Sequence, residues 1–154
     1  MKTIVTATVA AATLMTASMT MAEGEFDQQL KARQGQFNIM AINLGILGAM
    51  AKGEVEYNAE AAQAAADTLV AVSNIQQAPM WPEGSDNMSI DGTRAQPSVW
   101  EKNDDFLSKW SDLHPAVVEM QGAAGTGREA LAPMIGKVGG ACKACHDTHR
   151  APEN

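Results

Sequence analysis

Four stretches with helix-period apolar stripes, joined by a short, a long and a short link, restrict what this 154-residue chain can fold into. The first stripe runs Leu30, Arg33, Phe37, Met40, Leu44, Leu47 and Ala51 at spacings of three and four. The second follows Asn58 and sets Ala62, Ala65, Leu69, Val72 and Gln76 on one face. The third opens at Pro97-Ser98 with Glu101, a capping-box pattern, and continues through Val99, Phe106, Trp110, Leu113, Val117 and Met120. The fourth follows Thr126 and Glu129, a second capping-box pattern, and holds Leu131, Ile135, Val138, Cys142 and Cys145. Lys52-Gly53 closes the first helix, residues 78–96 form a Pro- and Gly-containing link, and residues 122–127 form a glycine-rich turn. Strand-type alternation is scarce. The expected fold is all-α, an antiparallel four-helix bundle. Pro115 should kink the third helix, because it removes a backbone donor and clashes one turn back. The alanines of the second helix serve either helix propensity or close approach of a second subunit.

The chemistry is concentrated near the C-terminus, in Cys142-Lys143-Ala144-Cys145-His146. Two thiols three apart, followed at once by histidine, form the attachment pattern of a c-type haem. On a helix Cys142 and Cys145 share a face, and His146 lies one turn beyond Cys142. All three therefore address one side of a flat macrocycle, the sulfurs for two vinyl groups and His146 for the iron. Gly136, Gly139 and Gly140 precede them, either as room for the porphyrin or as a frayed helix start. Two rival readings are weaker. Zinc on Cys142, Cys145, His146 and His149 would draw all its ligands from one short segment, whereas tetrahedral sites usually use two. A redox dithiol would need a βαβ context that the pattern lacks.

The N-terminus has the form of a secretory signal. Lys2 is the positive end, Ile4 to Leu14 the apolar stretch, and Thr20-Met21-Ala22 the small-residue cleavage site. Residues 1–22 are the expected signal peptide, and residues 23–154 the expected haem domain. The apolar stretch is too short for a membrane span, which takes about 20 residues. Export combined with a c-type attachment site points to the periplasm. Of the 11 Lys and Arg only Lys2 precedes residue 23, and none of the 18 Asp and Glu does, so the mature chain carries a net charge of −8. That acidity disfavours nucleic acid and anionic membranes as partners.

An arginine on the otherwise apolar first stripe needs a partner. Arg33 would find one in a haem propionate, or would snorkel to solvent. Together with that helix, Arg33-Gln34…Phe37, Trp81, Thr93…Pro97…Trp100 and the terminal Cys142 to Arg150 motif resemble the cytochrome c′ family over essentially the whole mature chain. The resemblance implies a left-handed bundle, commonly a homodimer, with one covalent haem c whose iron is pentacoordinate and high-spin. It places the thioethers on Cys142 and Cys145, the axial ligand on His146, and the propionate contact on Arg33 beside Gln34. It puts the bulky residue over the open iron face on Phe37, a haem-edge position on Thr93, and the basic neighbour of the proximal pocket on Arg150. Low-spin relatives carry methionine where this chain has Phe37. Met40 is the one residue that could restore a sixth ligand.

Distal polarity decides what such an iron binds. Phe37, Met40 and Ala41 provide no hydrogen-bond donor for dioxygen, so nitric oxide and carbon monoxide are the expected ligands, alongside one-electron redox cycling. The alternative is a plain electron-transfer cytochrome with six-coordinate low-spin haem. A peroxidase-like enzyme is disfavoured, since peroxide cleavage needs a distal acid or base and the first helix has no histidine. His114 is expected at the surface or the kink, and His149 is expected to be partly exposed.

Overall fold

The computed structural model describes residues 24–153; the expected signal segment, residues 1–22, lies outside them. Four long helices form the bundle: α1 (Asp27–Lys52), α2 (Ala59–Ser73), α4 (Asn103–Ala124) and α5 (Leu131–His149), with a single turn, α3 (Ser98–Glu101), just before α4. α1 packs on α2 and α5, and α4 packs on α2 and α5, so the four helices close a ring around one core. No β-strand occurs among the described residues beyond an isolated bridge between Ala95 and Arg150.

Local chemistry explains most helix ends. Gly53 adopts a left-handed conformation (φ 74°) and its N–H caps the Met50 carbonyl at 3.0 Å, a conformation that glycine takes at little cost. Asn58 caps α2, its Oδ1 accepting from the Ala61 N–H at 2.8 Å. α2 ends at Ser73, so Gln76 lies beyond the helix assigned to it. Both expected capping boxes are absent. The Ser98 hydroxyl donates to the Thr148 carbonyl (2.8 Å) instead of capping its own helix, and α3 breaks at Lys102 before α4 begins. Thr126 donates back to the Ala123 carbonyl (2.8 Å), and a short 3₁₀ turn, Arg128–Ala130, leads into α5. In each case a tertiary or C-terminal carbonyl competed successfully for the hydroxyl. α4 continues through Pro115, which is exposed.

The core has two parts. The larger joins Met40, Leu47 and Met50 of α1 with Ala62, Ala65, Ala66 and Leu69 of α2, Leu113, Val117 and Met120 of α4, and Leu131 and Val138 of α5. The smaller holds Ala95, Val99 and Phe106, with Trp81, Trp100 and Cys145 against them. Three alanines of α2 thus face inward, where their small side chains let α2 approach its neighbours, while Ala59, Ala61 and Ala64 are exposed.

The long link is anchored rather than loose. Gln36 and Gln77, both buried, exchange amide hydrogen bonds at 2.9 and 3.1 Å, and Trp81 Nε1 donates to Gln77 Oε1 at 3.1 Å. At its far end the link pairs with the C-terminal residues. The Gln96 N–H donates to the His149 carbonyl (2.9 Å) and the Ala151 N–H to the Arg94 carbonyl (2.8 Å). The segment after the Cys-Lys-Ala-Cys-His motif is thereby tied to the segment before α3.

Candidate functional site

Where the two core clusters part, the bundle encloses a cavity of about 460 Å³, within the range of small-molecule and cofactor sites. α5 contributes Ala141, Cys142, Cys145, His146 and His149 to its wall, and Arg150 follows directly after the helix. α1 contributes Leu30, Arg33, Gln34, Phe37, Met40 and Leu44, α4 contributes Phe106, Lys109, Trp110 and Leu113, and the link contributes Trp81, Thr93 and Arg94. Cys142 packs against the larger core and Cys145 against the smaller, so the two sulfurs straddle the gap. Every site residue expected from the sequence lines this one cavity.

Each group has a distinct environment. Burial pushes both thiols up, so they rest as neutral S–H groups. His146 is exposed. Partial desolvation, then the charges of Arg150 and Arg94, pull its imidazole below the ordinary value. That favours the neutral ring, the form able to ligate a metal. Arg150, itself exposed, pairs with Glu153 (3.5 Å) and reaches toward His146 Nδ1 at the 3.5 Å limit of hydrogen bonding.

Arg33 does not snorkel; it is 2% exposed. Its Nη1 donates to Ser85 Oγ (2.8 Å), and its Nη2 donates to the Ser85 carbonyl (2.6 Å) and Thr93 Oγ1 (3.0 Å). The guanidinium carbon sits 4.7 Å from the Trp81 ring centroid, a cation–π contact. Gln34 works alongside it, its Nε2 donating to the Gly92 carbonyl at 2.7 Å. Among the described residues no carboxylate pairs with Arg33. A buried cation without a counter-anion, on the wall of a cavity, is the electrostatic signature of an anionic ligand group. Of the five N–H donors of Arg33, three serve Ser85 and Thr93, which leaves two.

Phe37 is 38% exposed and meets Trp81 and Trp110 edge-on, with centroids 6.4 and 6.1 Å apart. Met40 also reaches the cavity but is a core residue, 5% exposed.

Three sequence expectations fail here. His149 is buried, at 3% exposure, not partly exposed. Its ring is held by Ser98 and Asp105, contacts that sequence spacing cannot reveal. Those contacts also remove it from the zinc set, and the described residues contain no cluster of three or more potential metal ligands. Gly136, Gly139 and Gly140 lie inside α5 and not at a frayed start. A Cβ on any of them would meet nothing within 4 Å, and none lines the cavity. They therefore give no sign of making room for a porphyrin.

Sequence reasoning also missed Ser85, Gln36, Gln77 and Lys109. None belongs to a motif; Ser85, Gln36 and Gln77 act through contacts between distant segments, and Lys109 reaches the cavity from α4 while paired with Asp105 one turn away.

The donor set suits one kind of group. Two neutral thiols and a neutral imidazole occupy one helix face, aromatic and aliphatic walls surround them, and a buried arginine waits for an anion. A flat, largely apolar, doubly acidic macrocycle fits those residues. Fold and site together define a helical-bundle c-type haem protein. The chain belongs to the cytochrome c′ family, whose model matches residues 28–150. It is 39% identical over 140 residues to a cytochrome c′ of Cereibacter sphaeroides, covering 90% of this chain and 94% of that one. The solved cytochrome c′ from Rhodobacter Spheriodes superimposes with a TM-score of 0.80 at 37% identity, covering 84% of this chain and all of that one. A mutant cytochrome c prime from Alcaligenes xylosoxidans, solved as its nitric oxide complex, gives a TM-score of 0.69 at 27% identity, covering 82% and 96%.

Proposed function

We propose that this chain is a periplasmic haem protein that binds nitric oxide and carbon monoxide at a five-coordinate iron and cycles between the ferric and ferrous states. Cys142 and Cys145 would hold the haem by thioethers and His146 would ligate its iron, Arg33 and Arg150 would meet its acidic edge, and Gln34 and Thr93 would fix the link around it. The bound haem supplies reversible gas binding and one-electron exchange. The observation that carries the reading is the pairing of Cys142, Cys145 and His146 on α5 with Phe37 on α1 in one cavity. Phe37 has neither a metal ligand nor a hydrogen-bond donor, which disfavours stable dioxygen binding and leaves neutral diatomic ligands unaffected. The nitric oxide complex of the Alcaligenes xylosoxidans relative supports the same ligand class.

A second reading rests on Met40, which also reaches the cavity. As a sixth ligand it would make the protein a plain electron carrier. Absorption spectra of the reduced protein with and without carbon monoxide decide between them. A high-spin spectrum that changes on adding carbon monoxide supports the open site, and a low-spin spectrum indifferent to the gas overturns it. An enzymatic role would need a distal acid or base, and no histidine lies on α1. His114 is outside the cavity wall, its Nδ1 2.9 Å from Ser73 Oγ, and both nitrogens of His149 are engaged. The apolar leader, Lys2 to Ala22, supports export, and cell fractionation tests it.

Access to the iron requires Phe37 to leave its two edge-on aromatic contacts, worth roughly 0.5–1.5 kcal/mol each. Phe37→Ala is therefore expected to speed carbon monoxide association about tenfold or more, read by stopped flow; an unchanged rate removes Phe37 as a gate.

The outer face of α1 supports a homodimer. Ile39, Ile42 and Ile46 follow one another at three- and four-residue spacing and are 44%, 64% and 40% exposed. A contiguous apolar stripe of this kind marks an interaction surface. Ile42→Glu is expected to raise the dimer dissociation constant about tenfold or more, measured by sedimentation. An unchanged constant moves the interface elsewhere.

A further inference from the structure

His149 is a buried polar side chain outside the attachment motif with a partner at each ring nitrogen. Its Nδ1 lies 3.0 Å from Ser98 Oγ and its Nε2 3.0 Å from Asp105 Oδ2. The placement of hydrogens follows from what each neighbour can give. The Ser98 hydroxyl hydrogen goes to the Thr148 carbonyl at 2.8 Å, which can only accept. With its hydrogen on that carbonyl, Ser98 Oγ offers a lone pair to Nδ1, and Nδ1 then donates. The hydrogen bond from Lys109 (Nζ to Oδ1, 2.5 Å) leads the causes that hold Asp105 below the usual carboxylate range. The carboxylate is thus an acceptor only, and Nε2 must donate as well. In that arrangement both ring nitrogens donate, which is the hydrogen-bond pattern of an imidazolium. The serine–histidine–carboxylate chain is not a hydrolytic triad, because its serine hydrogen is already committed to a carbonyl.

The surroundings make that charge matter. The ring is 3% exposed, stands edge-on to Phe106 at 5.6 Å, and lines the same cavity as Cys145 and His146. The other charged or titratable groups around it are Asp105 and Lys109 of α4, Arg94 of the link, Cys145 and His146 of its own helix, and Arg150 just beyond it. Arg94 and Arg150 both pair with Glu153, and Lys109 pairs with Asp105. Three cations, Arg94, Arg150 and Lys109, share two carboxylates, Glu153 and Asp105, so a charged His149 adds to a positive surplus.

Resting on the haem reading above, we propose that His149 is a positioning and charge-setting residue. Its two hydrogen bonds clamp the end of α5 to α3 and α4, and its cationic ring raises the reduction potential of the haem in the same cavity. Reduction adds one electron, taken from a soluble one-electron carrier that is oxidised by one. The reduced centre carries one less positive charge, so a nearby fixed cation stabilises it relative to the oxidised one.

The test uses the haem-loaded protein. His149→Phe keeps a ring against Phe106 but has no donors and no charge. In a mediated spectroelectrochemical titration its equilibrium constant for reduction is expected to fall about tenfold, which is 59 mV for one electron. A potential equal to wild type in a variant with unaltered helical content overturns the proposal. Nitrogen-15 spectra of histidine-labelled wild type give a second readout that needs no variant. Two N–H nitrogens on the His149 ring while Asp105 is ionised support it, and a single one overturns it. A colourless protein would sink the haem reading itself, whereas an unshifted potential in a coloured one would sink only the role of His149.

Discussion

Changing Cys142 and Cys145 together to serine is expected to abolish covalent haem. Acid–acetone extraction should remove essentially all the pigment from the variant and essentially none from wild type. The reason lies in where the sulfurs sit. Both are half-buried on the cavity wall, where burial pushes the thiols up, and each S–H can add across one vinyl group to give a thioether. Serine keeps the shape but has no equivalent addition chemistry. What remains is His146, an exposed imidazole at the end of α5. Without the tether, attachment becomes a bimolecular equilibrium in place of an intramolecular one. The fold should suffer too, because Cys142 packs on one core cluster and Cys145 on the other. A group bound between them joins the two clusters and stabilises the folded state through its own affinity. Extraction that leaves half the pigment on the double variant would show that another residue carries a covalent link.

Arg33→Leu is expected to cost the haem-loaded protein about 3 kcal/mol, measured by guanidinium denaturation. The substitution removes three hydrogen bonds and a cation–π contact at once. The Ser85 carbonyl loses both its charge-assisted bond and its partner. Relief from burying a cation offsets part of the loss, since desolvation disfavours the charged guanidinium here. Arg33→Lys should recover little of it. One ammonium cannot span Ser85 and Thr93 as a planar fork does, nor lie as flat on Trp81. A loss below about 0.5 kcal/mol, the usual effect of a surface change, would show that the link holds itself in place without α1.

Arg33 also shows where sequence reasoning reached its limit. Its stripe, its neighbours Gln34 and Phe37 and its need for a partner were all visible in the chain, because helix periodicity is local. That the first partners are Ser85 and Thr93 was not, because they lie 52 and 60 residues away. His149 fails for the same reason. Its spacing from Cys145 suggested a partly wet position, and only the packing of α3 and α4 buries it. The two capping boxes were misread because the Ser98 and Thr126 hydroxyls bond the Thr148 and Ala123 carbonyls, partners that a helix-start pattern does not show.

The chain by itself determined the helices, their order, the long link and the helix that bears the sulfurs and the imidazole. Those depend on residues three or four apart, whose interactions are settled within a turn. The tertiary structure alone decided that one cavity gathers Arg33, Phe37, Trp81 and the α5 motif, that Arg33 is a buried cation without a carboxylate, and that His149 is clamped between Ser98 and Asp105. These are meetings of side chains 44 to 113 residues apart, and only the closing of the bundle brings them to one cavity or into contact.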